Sequence, residues 1–225
     1  MRKIQRLAAV GAMAALTVAV GACSSQQTPA ADAPAPEQPA ATSDPATPPT
    51  SSGVTQISDI FGPACSQVPA EGEGSAKGMI DDPVATAASN NPLLKTLVAA
   101  VTAAKLGDTL NSLPAITVFA PADPAFADLE AKNPGTIKQL TTDPNVASPD
   151  SKLATILKYH VVGQRYDAAG LVQAGSVETV QGGKVTIAGT SAAPTINGAQ
   201  VLCGNIPTAN ATVFVIGQVL SPPAS

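Results

Sequence analysis

Large apolar side chains are unevenly distributed along this 225-residue chain, and this limits where it can fold. All six aromatic residues lie at or after Phe61. Residues 24–55 contain seven prolines among many Ala, Thr and Ser, with no aromatic residue, Lys or Arg. A segment of this kind buries too little apolar surface to offset the entropy of ordering. We therefore expect a disordered stalk over residues 23–55 and a single folded domain over residues 56–225.

The first 22 residues have the order of a secretory signal. Three basic residues precede an apolar run over 7–20, whose 14 residues would form a helix of about 21 Å. That helix is shorter than the roughly 30 Å hydrocarbon core of a bilayer, so the run fits a signal better than a membrane span. Small residues and Cys23 then end the run, an arrangement that resembles the bacterial lipobox. An ordinary secretory signal with a chance cysteine is the alternative.

The lipobox resemblance implies a lipid anchor at Cys23. In such signals the chain is cleaved before the cysteine, and the new N-terminus carries diacylglycerol and fatty acyl groups such as palmitate. Several acyl chains together give stable anchoring. The resemblance therefore implies a cell-membrane protein that faces outward into the envelope or the extracellular surface, and a partly shed form is left open.

The stalk is also similar in composition to glycosylated spacers. Thr42, Thr47 and Thr50 lie close to prolines, and Thr/Pro-rich stalks are common substrates for O-glycosylation. We take these three residues as candidate sites and keep a bare spacer as the alternative. In either case the segment would hold the next domain roughly 30 Å away if coiled and about 100 Å away if extended.

The scarcity of certain residue types excludes several kinds of site. One histidine and three cysteines, without a CxxC spacing, argue against a zinc or iron site. The formal net charge of −4 argues against a nucleic-acid surface. We expect no metal, no cofactor and no nucleic-acid partner. Since there is no GxSxG elbow or paired-acid constellation, we also expect no enzymatic activity, and an envelope hydrolase is the weakest of three function classes.

Local signals predict helices early in the domain and strands later. Asp or Asn followed by Pro is typical of a helix start, and it occurs at residues 82, 91, 123 and 133. Asp123 is expected to cap its own helix, Gly107 to end the second one, and residues 151–158 to form the last.

Strands are predicted over 116–120, 159–162, 177–181, 184–188, 195–196, 199–202 and 212–220. Turn sequences at 182–183 and 197–198 join hairpins, and the last strand is apolar on both faces, so it should be central. This order predicts an α+β fold.

The two cysteines of the domain form a candidate disulfide. Cys65 precedes the first predicted helix, and Cys203 follows the second hairpin turn. Export of the chain would favour their oxidation. We expect a Cys65–Cys203 bridge and keep two separate thiols as the alternative.

Three motifs in order resemble the fasciclin (FAS1) domain family. TVFAPADPAF at 117–126 resembles its first signature, including Thr117, Phe119, Pro121, Asp123 and Phe126. A Tyr-His pair follows at 159–160, and NATVFVIGQVL at 210–220 resembles the second signature through Phe214 and Ile216. Phe214 and Gly217 stand where the family often has His and Asp. The resemblance covers about residues 83–222. It implies a wedge-shaped β-sandwich with several flanking short helices, in which the motif residues are structural.

The resemblance also implies a function. The lipobox, stalk and cysteine pair are similar to the mycobacterial surface lipoprotein antigens of the fasciclin family. We therefore expect an immunogenic, non-enzymatic surface protein that mediates adhesion or contact with a host-cell or extracellular-matrix protein. Tyr159 and His160 are the candidate partner-binding residues. For His160 the residues themselves favour a structural role, in which its ring bonds a neighbouring backbone group. The alternative is an envelope lipoprotein that binds a lipid or another small ligand.

Overall fold

A computed structural model of the protein describes residues 53–223. Within these residues two short 3-10 turns, Ile57–Asp59 and Cys65–Gln67, precede the first helix. The helices are α1 (Ala76–Met79), α2 (Val84–Asn90), α3 (Lys95–Ala103), α4 (Gly107–Ser112), α5 (Asp123–Lys132), α6 (Thr136–Thr142), α7 (Lys152–Tyr159) and α8 (Ala168–Ala174). The strands are β1 (Ile116–Pro121), β2 (Val161–Val162), β3 (Ser176–Glu178), β4 (Lys184–Thr190), β5 (Ala193–Ile196), β6 (Ala199–Pro207) and β7 (Ala211–Ile216). Helices dominate the first half and hairpins the second, which confirms the α+β prediction.

The strands form one sheet in the order β2-β1-β7-β6-β5-β4-β3. Strands β1 and β7 pair in parallel, with Phe119 opposite Phe214, and the other neighbours are antiparallel. Just beyond β3, the Val180 N–H donates to Val161 O of β2 at 2.7 Å. This bond joins the two ends of the strand order, so the sheet is nearly closed. Every residue of β7 is buried, which confirms a central, doubly covered strand.

Alternation along β1 and β7 divides the core between the two faces of the sheet. Ile116, Val118 and Ala120 of β1 belong to a cluster against which helices α1 to α7 pack. Phe119 of β1 and Phe214 of β7 belong to a second cluster, formed with α8 and strands β3 to β6. Because side chains alternate across a strand, one apolar run supplies both clusters.

Two bulges in β6 redirect its side chains. The pairing with β7 shifts between Val201 and Cys203 and again between Cys203 and Ile206. Val201 therefore lies in the second cluster, whereas Cys203 and Ile206 lie in the first. A β-bulge has this effect because it inserts an extra residue and shifts the alternation.

The helix ends depart most from the predictions around α3 and at the end of α7. Helix α3 begins at Lys95 rather than after Asn91, whose side-chain oxygen instead accepts from the Leu93 N–H at 3.0 Å. The same helix ends at Ala103, followed by Lys105 with φ 53°. Gly107 therefore begins α4 instead of ending α3. Tyr159, predicted in a strand, ends α7.

The Asp123 carboxylate also has a different partner from the one predicted. It accepts the Thr96 N–H in the first turn of α3 at 2.8 Å, and the cap residue of its own helix is Ala122, which makes no side-chain cap bond. The bond joins two helices that are distant in sequence. Asp123 therefore acts as a tertiary cap of α3.

The folded part extends to the N-terminal side of the predicted boundary. Thr55 is buried, and Gly53 O accepts the Thr212 hydroxyl at 2.7 Å. Gly53 has φ 65°, and a Cβ there would lie about 2.1 Å from Arg165 O, so only glycine fits this approach. The last residues assigned to the stalk thus pack on the domain.

Candidate functional site

The proposed anchor and glycosylation residues lie outside the described residues. Cys23, Thr42, Thr47 and Thr50 precede residue 53, as do the signal at 1–22 and nearly all of the stalk. Their assignments stay predictions. Within residues 53–223, no helix combines the length and apolarity needed to cross a membrane.

The motif residues form the centre of the sheet. Phe119 and Phe214 are completely buried, and their ring centroids lie 6.1 Å apart. The Thr117 hydroxyl donates to Gln164 O and accepts the Tyr166 N–H, both at 2.8 Å. Pro121 ends β1, and Ile216 ends β7 in the second cluster. Phe126 is also buried, so these side chains hold the fold together rather than forming a contact surface.

The structure corrects the assignment of Tyr159 as a partner-binding residue. The ring is only 2% exposed, too little to offer a contact surface. Its hydroxyl donates to Lys184 O and accepts from the Asn197 side-chain amide, both at 2.9 Å. Tyr159 thus attaches the end of α7 to the β3-β4 and β5-β6 hairpins.

His160 is 3% exposed and therefore offers no contact surface either, whereas the other interpretation, a ring bonded to neighbouring backbone groups, is confirmed. Its Nδ1–H donates to Ile156 O at 2.8 Å, and its Nε2 accepts the Leu220 N–H at 2.9 Å. Both ring nitrogens are therefore occupied by backbone groups. Burial lowers the pKa of His160 from 6.5 to about 4, although the bond to Ile156 O opposes this shift. At neutral pH the ring is uncharged and structural.

A disulfide joins Cys65 to Cys203, with the two Cα atoms 4.9 Å apart. It attaches the second 3-10 turn to the bulged part of β6. Phe61 and Gly204 pair beside it, with each residue donating its N–H to the other's carbonyl. The segment before α1 is thus fastened to the sheet by both covalent and backbone bonds.

Asn210 is a structural residue that the sequence reasoning did not identify. Its Oδ1 accepts the Val84 N–H at 2.9 Å, and its Nδ2 donates to Leu110 O at 2.9 Å and Leu113 O at 2.8 Å. The side chain therefore connects the start of β7 to α2 and to the residues before β1. Asn210 begins the second signature and an Asn-Ala-Thr sequon, yet it is only 9% exposed. In the folded domain this amide is not available for a glycan.

An apolar cavity of about 300 Å³ lies between the helices and the sheet. We call it the helical cavity. Its floor includes Val118 of β1, and its walls come from α2, α3, α4 and α7. The buried residues that line it are Val84, Leu97, Leu106, Val118, Phe119, Leu157, His160 and Val161.

A second cavity of about 280 Å³ lies on the other side of α3 and α7. It shares Leu97, Leu157 and His160 with the helical cavity, so these side chains form the wall between the two. Its lining includes Lys152 and several polar side chains of the α5-α6 region: Asn133, Thr136 and Thr141.

Between residues 53 and 223, no group of three His, Cys, Asp or Glu side chains is placed to hold a metal ion. The sole histidine of the chain has both ring nitrogens occupied. What the arrangement can do chemically is enclose an apolar group. The absence of enzymatic activity stays a prediction.

Comparison with known proteins identifies the domain. The model of the fasciclin domain matches residues 92–222. The immunogenic protein MPT70 of Mycobacterium tuberculosis is 44% identical over 174 residues, which cover 74% of this chain and 84% of that protein. The cell surface glycolipoprotein MPT83 of the same organism is 38% identical over 227 residues, covering 96% of each chain. Fasciclin-domain relatives of this chain are thus named as immunogenic proteins and as cell-surface glycolipoproteins.

A solved structure has the same fold. It is a FAS1 domain pair from the insect cell adhesion molecule fasciclin I, with a TM-score of 0.55 and 18% sequence identity. The match covers 66% of this chain and 52% of that chain. At this identity the likeness concerns the fold alone, and it confirms the predicted FAS1 architecture. The match to the domain model and the identity with the mycobacterial relatives show that the chain belongs to the fasciclin domain family.

Proposed function

We propose that this protein is a lipid-anchored surface protein that presents one FAS1 domain outward for adhesion to a host-cell or matrix protein. The observation that carries the proposal is the match to a cell surface glycolipoprotein over 96% of both chains. That match extends beyond the domain into the region of the apolar run, Cys23 and the stalk. In this account Cys23 holds the acyl chains, and residues 24–52 separate the domain from the membrane.

The geometry of the domain is consistent with a binding module. The residues of the motifs are buried and tie the helices to the sheet, and a disulfide fastens the N-terminal segment. Partner contacts would therefore come from exposed side chains outside the motifs, on a rigid support. The exposed part of a fixed scaffold is where binding residues are usually found. The names of the relatives further support the proposal that the chain is an antigen.

Replacing Cys23 should separate the protein from the membrane. The variant Cys23→Ala lacks the thiol that would be acylated, and a membrane-held chain depends on several acyl groups. We expect complete loss of metabolic labelling with a palmitate analogue and transfer of the protein from the detergent phase to the aqueous phase. The matched control Ser24→Ala should behave as the wild type.

The same pair of variants tests adhesion. Cells that express Cys23→Ala should bind host cells no better than cells without the protein, whereas cells with Ser24→Ala should bind normally. If Cys23→Ala remains labelled in the detergent phase, the anchor is wrongly placed. If it is released but cell binding is unchanged, the adhesion role is wrong.

A further inference from the structure

The walls of the helical cavity are suited to one kind of ligand. The apolar side chains come from α2, α3, α4, α7 and β1, and the lining contains no Phe, Tyr or Trp except Phe119, whose side chain packs in the second cluster. A volume of about 300 Å³ lies at the lower end of the range found for small-molecule sites. A ligand that fills it must be apolar and slender, since a buried polar group without a partner is unfavourable.

Two polar side chains beside the cavity, those of His160 and Lys158, are already bonded within the protein. His160 is satisfied on both ring nitrogens by Ile156 O and Leu220 N. Lys158 donates its Nζ to Pro149 O at 2.7 Å. Neither side chain therefore calls for a hydrogen bond from the ligand, and recognition would depend on shape and apolar contact. This argues against a sugar or a peptide backbone as the enclosed group.

The cavity extends from the surface to the sheet. Ser89, Thr102 and Asp108 are exposed at its rim, whereas Val118 on the floor is buried. Val180, one of the large apolar residues most exposed to solvent, also lines it at 45% exposure. The cavity thus changes from exposed and polar at the rim to buried and apolar at the floor. A ligand with a polar end at the rim and a flexible apolar chain directed toward the floor matches this change.

We propose that the helical cavity binds the alkyl chain of a single-chain lipid, with the polar head at the rim. A chain of methylenes has the cross-section and lack of hydrogen-bonding groups that these walls require. The supply of such a lipid rests on the proposed anchoring, because a stalk fixed at Cys23 keeps the domain close to membrane lipids. Binding itself depends only on the cavity.

The proposal predicts a specific dependence on chain length. Each buried methylene contributes about a fourfold gain in affinity. In calorimetric titrations of the full chain carrying Cys23→Ala with fatty acids of increasing length, affinity should rise by that factor per methylene. The gain should stop at the length that fills the cavity. The Cys23→Ala background prevents the protein's own acyl groups from occupying the site.

A cavity-filling variant makes the test specific. Ala88 lines the helical cavity on α2, and Ala88→Leu adds three carbons to the space. The plateau should move to chains about three carbons shorter, and affinity for the longest chain should fall by roughly 60-fold. The matched control is Ala99→Leu on α3, an exposed position outside the lining, which should bind as its parent does.

A second variant covers the case in which Ala88→Leu fails to fold. Val101→Leu adds one carbon to the same lining and should shorten the plateau by about one carbon. Affinity that grows without a plateau, or a plateau that neither variant moves, overturns the proposal. If Cys23→Ala leaves the membrane and its affinity for fatty acids still reaches the expected plateau, the result supports lipid binding in the cavity whatever the outcome for adhesion. If the wild type is anchored but Cys23→Ala binds no fatty acid, the proposal for the cavity is wrong while the proposed anchor stands.

Discussion

Acidification from pH 6.5 to pH 4 should lower the free energy of unfolding by about 3 kcal/mol through His160 alone. The unfolded chain takes up a proton near pH 6.5, whereas burial holds the pKa of the folded His160 at about 4. Between these values the unfolded state binds more protons, so stability is fully present above pH 6.5 and is lost as the pH falls. The size follows from about 1.36 kcal/mol per pKa unit.

The variant His160→Gln separates this effect from the titration of carboxylates. Glutamine can still accept the Leu220 N–H, and His160 is the chain's single histidine, so no other imidazole interferes. Urea unfolding at a series of pH values should show the variant less stable than wild type at pH 7. The difference should shrink by about 3 kcal/mol at pH 4. A difference that stays constant with pH would show that His160 is not buried in its neutral form.

Removal of the Cys65–Cys203 disulfide should lower the free energy of unfolding by as much as about 5 kcal/mol. The bridge joins residues 138 positions apart, and the loop-entropy model gives large stabilisation for long loops. The double variant Cys65→Ala with Cys203→Ala, measured by urea unfolding, should show this loss. Since Cys203 is completely buried in the first core cluster, part of the loss also reflects a small cavity.

Reduction provides the control for this comparison. A reductant should destabilise the wild type by the part of this loss that the bridge itself accounts for, and it should leave the double variant unchanged. If the oxidised wild type and the double variant unfold at the same urea concentration, the bridge does not stabilise the domain by lowering the conformational entropy of the unfolded chain.

Strands and turns with strong local signals could be predicted from sequence. The apolar residues of 212–220 predicted a central strand, and β7 is buried throughout. Asn197 and Gly198 predicted a hairpin turn, and their φ angles are 48° and 81°. A two-residue turn of this kind needs positive φ at both positions, which Asn-Gly supplies at little cost.

Features that depend on distant partners were harder to predict. Asp123 was expected to cap its own helix, but its carboxylate accepts the Thr96 N–H of α3 instead. Helix α8 was missed, although the Asp167 side chain accepts the Gly170 N–H and Gly175 ends the helix in a left-handed conformation. Those two residues were the signal that could have identified it.

The candidate site shows the same limit. Tyr159 and His160 were the candidates for partner contact, whereas the fold uses every polar atom of both side chains internally. The helical cavity could not be seen in the sequence at all. Its lining comes from residues between Val84 and Val180, and only the packing of short helices on β1 leaves the space between them.

Intact mass and phase partition of the native protein test the central claim most directly. A lipid-anchored protein would be a mature chain that begins at Cys23, carries the added mass of several acyl chains and partitions into detergent. Glycan masses on the stalk would extend this result, and their absence would leave a bare spacer. An unacylated chain that begins at another residue and remains in the aqueous phase would contradict the proposal of a lipid-anchored surface protein.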